Sequence, residues 1–255
     1  MQFETFVLSL KADSDRRAYI ARSFADIGLT GWRFVDAIPA TAPEVRNAYA
    51  SGVVAPFPPC FRCGRESCDC FNNMLIPAQV ANVLSFRRIW QELSDRAGSP
   101  VLICEDDVIF RPGALAGLQD IADRIAGRDD PALVRLADSG RVLGEDPVEV
   151  PVALVSDDAQ PPMTNPAYFM NGHMAALLAA RDGPIDTTSD IWLNAQADDP
   201  AVHALTARPL LASELSHNPE TARFASRIHP KGIDGEDRVR AARHVRRAET
   251  AAEYR

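Results

Sequence analysis

The sequence predicts an α/β protein with a mostly parallel central sheet and flanking helices. Three observations carry this. Residues 3–10 (FETFVLSL) form an apolar run rich in β-formers. An amphipathic stretch follows, with Ala18, Ile20, Ala21, Phe24 and Ile27 at helical spacing. Residues 32–38 (WRFVDAI) are a second β-like run. Strand, helix, strand at this spacing is a βαβ unit, whose strands lie parallel and whose ligands gather at the strand C-terminal ends.

Each further element follows from pattern and punctuation. Ser14 is placed to cap a helix over 15–27, and Gly28 to stop it. Residues 39–59 are rich in Pro and Ala and predict an irregular excursion into a cysteine cluster. A long helix over 80–96 carries an apolar stripe of Val80, Val83, Leu84, Ile89, Trp90 and Leu93, and Gly98, Ser99 and Pro100 end it. A short apolar run, 101–104, then meets three carboxylates and a second apolar run, 108–110. Residues 112–127 read as an amphipathic helix, and 132–137 and 148–155 as strands. A strand at 168–170 feeds a helix over 173–180, a helix covers 185–197, and 202–211 reads as the last strand. Residues 235–255 hold six arginines against four acids among many alanines. This composition predicts a solvated helix, with docking to an anionic lipid surface as the functional alternative. The economical organisation is one domain over 1–230, including a Cys-rich loop at 56–72, followed by a tail over 231–255.

Composition narrows the function classes. With 255 residues, 46% of them hydrophobic, the chain can bury one large core. A formal net charge of -8 argues against a phosphate backbone as the main partner, so no nucleic acid is expected. No stretch approaches the roughly 20 apolar residues of a membrane span. The first ten residues contain Glu4 and lack a basic region before an apolar core, so they read as a strand and not as a secretion signal. A cytoplasmic protein is expected, with peripheral contact at the inner membrane face through the tail as a further expectation.

The strongest chemical signal is Glu105-Asp106-Asp107, held between apolar strand-like residues. Adjacent carboxylates at a sheet edge repel one another unless something compensates. Hard Mg²⁺ or Mn²⁺ compensates well, because it takes carboxylate and phosphate oxygens together. If the segment is extended, side chains alternate, so Glu105 and Asp107 share one face and Asp106 takes the other. Such an acid-x-acid pair suits transfer from a nucleoside diphosphate, since a metal neutralises the charge that develops on the leaving group. A solvated acidic turn is the plain alternative.

Cys60, Cys63, Cys68 and Cys70 lie within eleven residues. Four thiolates in a short loop fit a closed, structural Zn²⁺ site with Zn–S distances of about 2.3 Å. A redox or disulfide role is the alternative. Cys104, inside a strand, reads as a small buried hydrophobe.

Taken in order, these motifs resemble glycosyltransferase family 25, the lipooligosaccharide and procollagen galactosyltransferase family. The matching residues are Val7-Leu8-Ser9-Leu10-Lys11 with Arg16-Arg17, then Phe34-Val35-Asp36-Ala37, Leu84-Ser85-Phe86, Glu105-Asp106-Asp107-Val108, Ala167-Tyr168-Phe169-Met170, and Pro184-Ile185-Asp186 with Asp190. They span roughly residues 3 to 230. The resemblance implies a GT-A-like, Rossmann-type sheet, a UDP-sugar donor (typically UDP-galactose), Mn²⁺ or Mg²⁺, and an inverting reaction on a saccharide or lipid-linked acceptor. It departs at Ser9, where the family has Asn, and at Phe86, where it has His. The cysteine cluster is not part of the family pattern.

Roles follow residue by residue from the resemblance. Leu8, Ser9 and Leu10 line the nucleotide. Arg16 or Arg17 meets the donor phosphates, with a solvated first-turn arginine as the alternative; Asp36 and Ala37 meet the base or ribose, with a turn cap as the alternative for Asp36; and Ser85 meets the donor. Glu105 and Asp107 hold the metal, and Asp106 binds ribose or metal. Asp186 or Asp190 positions or deprotonates the acceptor hydroxyl, with helix capping as the structural alternative. His217 and His229 fall where some GT-A enzymes place a late metal ligand. Two other readings stay open: a catalytically inactive family member acting as a scaffold with a zinc loop, fed by Phe86, and a metal-dependent phosphohydrolase acting on nucleotides.

Overall fold

A seven-stranded sheet runs through the middle of the computed structural model, which describes residues 3–55, 75–96, 98–137, 146–156, 164–216 and 224. The strands are β1 (Glu4–Ser9), β2 (Trp32–Asp36), β3 (Val101–Glu105), β5 (Ala132–Arg135), β6 (Ala153–Ser156), β7 (Ala167–Met170) and β8 (His203–Arg208), in the spatial order β2-β1-β3-β7-β5-β8-β6. β1, β2, β3, β5 and β8 point one way, and β7 and β6 run against them. β4 (Val108–Phe110) and β9 (Ala212–Glu214) form a separate antiparallel ribbon. The helices are α1 (Ser14–Asp26), α2 (Pro43–Ala50), α3 (Pro77–Leu93), α4 (Ala114–Ile125), α5 (Gly172–Ala180) and α6 (Ser189–Ala197).

Period-2 alternation gives the sheet two apolar faces, as a sheet covered on both sides requires. Val7, Leu102, Cys104, Val134 and Phe169 pack with Ile20 and Phe24 of α1 and with Leu118 and Ile121 of α4. Their chain neighbours Phe6, Leu8, Ile103, Leu133 and Tyr168 face the other way, onto α3, α5 and Leu193 of α6. Trp90 of α3 anchors this second layer. It is 1% exposed, stacks on Trp192 at a centroid distance of 5.1 Å, and donates from Nε1 to the Tyr168 hydroxyl at 3.2 Å. Cys104 is fully buried, and burial, reinforced by Glu105, pushes its thiol pKa up.

The first βαβ unit forms where the sequence predicts it, except that Ser14 is the first residue of α1 and not its cap, and Asp13 stands at the N-cap position. α1 ends in a turn in which Gly28 takes φ 74° and Leu29 N–H reaches back to the Phe24 carbonyl at 2.8 Å, a left-handed stop that glycine adopts without strain.

Several boundaries differ from the sequence reading; α3, for one, runs over Pro77–Leu93 and not over 80–96. The excursion at 39–59 contains α2, which Pro43 opens and whose Val45, Ala48 and Tyr49 are buried beside α3. Asp186 is not helical, because Ile185 is spent on a parallel bridge to Val54 and α6 starts only at Ser189. β6 begins at Ala153, past Pro151. The chain leaves the main sheet at Pro209, which has no N–H for a ladder, and β9 then forms as a further strand. Cys60, Cys63, Cys68 and Cys70, His217, His229 and the tail over 231–255 lie outside the described residues. Among the described helices none is long and apolar enough to cross a membrane.

Candidate active site

The C-terminal ends of β1, β2 and β3 open into a cavity of about 590 Å³. Parallel strands deliver this edge as the natural ligand site. β7 contributes to the same edge because it runs the other way: the residues just before it lie beside the end of β3, where the Glu105 N–H donates to the Pro166 carbonyl at 2.8 Å. α6 brings Asp190 to the rim, and β9 brings Glu214.

The triad does not alternate. β3 ends at Glu105, and Asp106 and Asp107 form a turn into β4. The extended alternation expected for this segment therefore fails, and all three carboxylates line the cavity. Asp106 is clamped: Ser9 Oγ donates to its Oδ2 at 2.8 Å, and Arg16 Nη1 to its Oδ1 at 2.6 Å. Burial raises the Asp106 pKa, with Arg16 and Ser9 opposing. Burial works against the Arg16 charge, but Asp106, Asp107 and Asp13 outweigh it and hold that guanidinium above its ordinary value. Glu105 is raised most clearly. Burial is the main cause, followed by Asp107, Glu214, Asp190 and Asp106.

The cavity is strongly acidic. Asp13, Glu105, Asp106, Asp107, Asp190 and Glu214 line it, and among the described lining residues Arg16 is the one cation. Glu214 is 2% exposed and sits opposite Val108 in the β4–β9 ribbon, next to Leu215, whose N–H donates to the Asp107 carbonyl at 2.9 Å. The sequence reading did not single out Glu214. Its signal was a carboxylate isolated in an apolar run, Leu211-Ala212-Ser213-Glu214-Leu215.

The other predicted residues divide. Leu8, Ser9, Leu10, Ala37, Ser85 and Asp190 line the cavity. Ser85 also shapes it, accepting from Ile38 N–H at 2.9 Å and donating to the Ala81 carbonyl at 2.6 Å, which ties the end of β2 to α3. Arg17 and Asp36 pair with each other at 2.5 Å outside the lining, and Arg17 also donates to the Ser9 carbonyl at 2.9 Å. The Arg17 hydrogen bond holds the Asp36 carboxyl below its usual range. Asp186 is exposed and off the cavity. Phe86, where the resemblance led one to expect His, is 3% exposed and stacks on Trp90 at 5.9 Å. It is a core residue, so its loss of polarity takes nothing from the cavity.

The donor chemistry of this wall fits a hard divalent cation, since carboxylate oxygen is what such a cation prefers. Among the described residues no group of three His, Cys, Asp or Glu side chains is arranged to hold a metal ion by itself.

A doubly covered α/β sheet with an acidic cleft at its strand ends belongs to the broad class of ligand-binding α/β proteins. The profile of glycosyltransferase family 25 (LPS biosynthesis protein) matches residues 2–139, more than half of the chain. The chain belongs to glycosyltransferase family 25, and its class of activity is glycosyl transfer. The match covers Ser9, Arg16 and the carboxylate triad, while Asn165, Asp190 and Glu214 lie beyond it. No curated protein matches the chain. Among solved structures, the inositol-1-phosphate CTP transferase from T. maritima aligns with 86% of this chain and 72% of its own, at 11% identity and a TM-score of 0.35.

Proposed function

We propose that the protein transfers a hexose from a UDP-sugar to a hydroxyl of a saccharide or lipid-linked acceptor, with Mn²⁺ or Mg²⁺ as the cation that the acidic wall would hold. The observation that carries this reading is the cavity wall of six carboxylates against one guanidinium at the strand ends. A bare diphosphate would be repelled there, whereas a diphosphate with a divalent cation would complement the wall.

Glu105 and Asp107 are the residues proposed to hold the cation together with the donor's phosphates, and Glu214 adds its charge to the same wall. When bound, the cation would stabilise the charge that develops on the leaving diphosphate. The backbone of Leu8 to Leu10 and Ala37 would line the nucleotide. Asp106, already fixed by Ser9 and Arg16, would present a set geometry to the ribose. Asp190 would accept the proton of the acceptor hydroxyl as its oxygen attacks C1 of the hexose and the C1–O bond to the diphosphate breaks. Positioned base help of this kind contributes on the order of 10²- to 10⁴-fold.

Thermal shift with UDP, UDP-galactose, UDP-glucose, GDP and CDP, each with and without Mn²⁺, tests the reading, because a ligand selective for the folded state raises the melting temperature. A Mn²⁺-dependent shift with a uridine nucleotide is expected. No shift with any nucleotide, in folded and metal-replete protein, would contradict it and return the inactive scaffold as the better reading.

A further inference from the structure

The segment before β7 adds two neutral oxygens to the acidic wall. Thr164 and Asn165 both line the cavity. Asn165 is 7% exposed, and its Oδ1 and the Thr164 Oγ1 are enclosed with no hydrogen-bond partner among the described residues. Buried polar atoms in folded proteins are normally paired, so two neighbouring exceptions on residues that line one cavity point to a ligand.

The orientation of the Asn165 amide follows from its surroundings. Arg135 Nε donates to Asn194 Oδ1 at 3.1 Å, and a guanidinium N–H can face only an acceptor. That same Oδ1 accepts from Asn165 Nδ2 at 3.3 Å, and Asn165 Nδ2 also lies 3.4 Å from the Asp190 carbonyl. Two acceptors thus claim the NH₂ end of Asn165. The carbonyl end is the one left over, and it needs a donor.

Position says what brings that donor. Across the edge of the sheet, the order β2-β1-β3-β7 places Ala37 and Ser9 first, the carboxylate triad next, and Thr164 and Asn165 last. Pro166, bonded to Glu105, fixes the last step. A nucleotide over β1 and β2 with its diphosphate at the triad would carry its sugar to Asn165. Resting on that donor reading, we propose that Asn165 and Thr164 form a hydroxyl-reading subsite for the hexose of the UDP-sugar. Asn165 Oδ1 accepts from one sugar hydroxyl, and Thr164 Oγ1 exchanges a hydrogen bond with another. These two residues then set which hexose is accepted.

The test is calorimetric titration of UDP, UDP-galactose and UDP-glucose, with Mn²⁺, into the full chain and its Asn165→Ala, Thr164→Val and Thr164→Ser variants. UDP affinity should stay within about twofold in all of them. Affinity for the preferred UDP-hexose should fall on the order of tenfold in Asn165→Ala and in Thr164→Val, equivalent to about 1.4 kcal/mol each. Thr164→Ser should restore most of the loss, and the ratio between the two epimers should shrink toward one. If UDP binds and UDP-hexose affinity is unchanged in both deletion variants, or falls only as much as UDP affinity does, the subsite is overturned while the donor reading stands. If the unaltered protein binds no UDP, the donor reading falls and the subsite with it.

Discussion

Arg16 and Asp106, ninety residues apart in sequence, meet at 2.6 Å with their side chains only 13% and 12% exposed. The pair joins the first turn of α1 to the turn after β3, and Ser9 Oγ occupies the other carboxylate oxygen. Removing one partner leaves the other charge enclosed. Arg16→Ala should therefore cost about 3 kcal/mol in urea unfolding, and adding Asp106→Asn should recover part of it. Strictly additive losses would show that the two charges do not depend on each other.

Glu214 reaches the cavity from a ribbon far along the chain, beside Asp107. Glu214→Gln keeps the shape and removes one negative charge. Mn²⁺-dependent UDP affinity should fall on the order of tenfold or more, while residual metal-free affinity should hold or rise. Equal UDP affinity with Mn²⁺ in the variant would show that the Glu214 charge does not act on the cation.

Glu105 gives a signed pH dependence. Its folded-state pKa is raised, chiefly by burial, so between the unfolded and folded values the native state holds the extra proton. By linkage, the metal-free protein then loses stability as pH rises above the ordinary glutamate range, until the folded pKa is passed. Glu105→Gln has no proton to lose. Without metal it should be more stable than the unaltered protein at pH 7.5, by about 1.4 kcal/mol for each unit of upward shift, and the advantage should vanish below about pH 4. Melting temperatures across pH 4 to 8 check this.

Asp190 and Asp186 are separated by position. Asp190 lines the cavity and Asp186 is exposed outside it. Asp190→Asn should lower kcat by about 10²- to 10⁴-fold with donor KM little changed, and Asp186→Asn should leave both within about twofold. A steady-state comparison of UDP release decides it.

Phe86 lies under Trp90 in the apolar layer. Phe86→His should cost about 1–3 kcal/mol, because an imidazole would be buried among apolar side chains. A gain of activity in Phe86→His without loss of stability would place that side chain in the cavity after all.

Much of this was legible in the sequence. The βαβ unit, the buried strand before the triad and the long apolar stripe of α3 follow from local periodicity, and the structure repeats them. The alternation expected across Glu105 to Asp107 failed because a tight turn into β4, which periodicity does not report, swings Asp106 back toward Arg16. Arg17 and Asp36 were expected at the donor from the family resemblance; the structure places them outside the cavity lining, where Arg17 of α1 pairs with Asp36 at the end of β2, a contact that no local pattern announces. Glu214 and Asn165 were missed for a different reason. Their meaning depends on pairings between distant strands, β9 with β4 and β7 with β3, and no local pattern fixes those partners.

The most direct measurement is calorimetric titration of UDP into the protein with Mn²⁺, with EDTA, and with Mn²⁺ in the Asp107→Ala variant. Binding that requires Mn²⁺ and is lost with Asp107 is the predicted result. UDP binding of equal strength in all three would contradict a cation held between these carboxylates and the diphosphate.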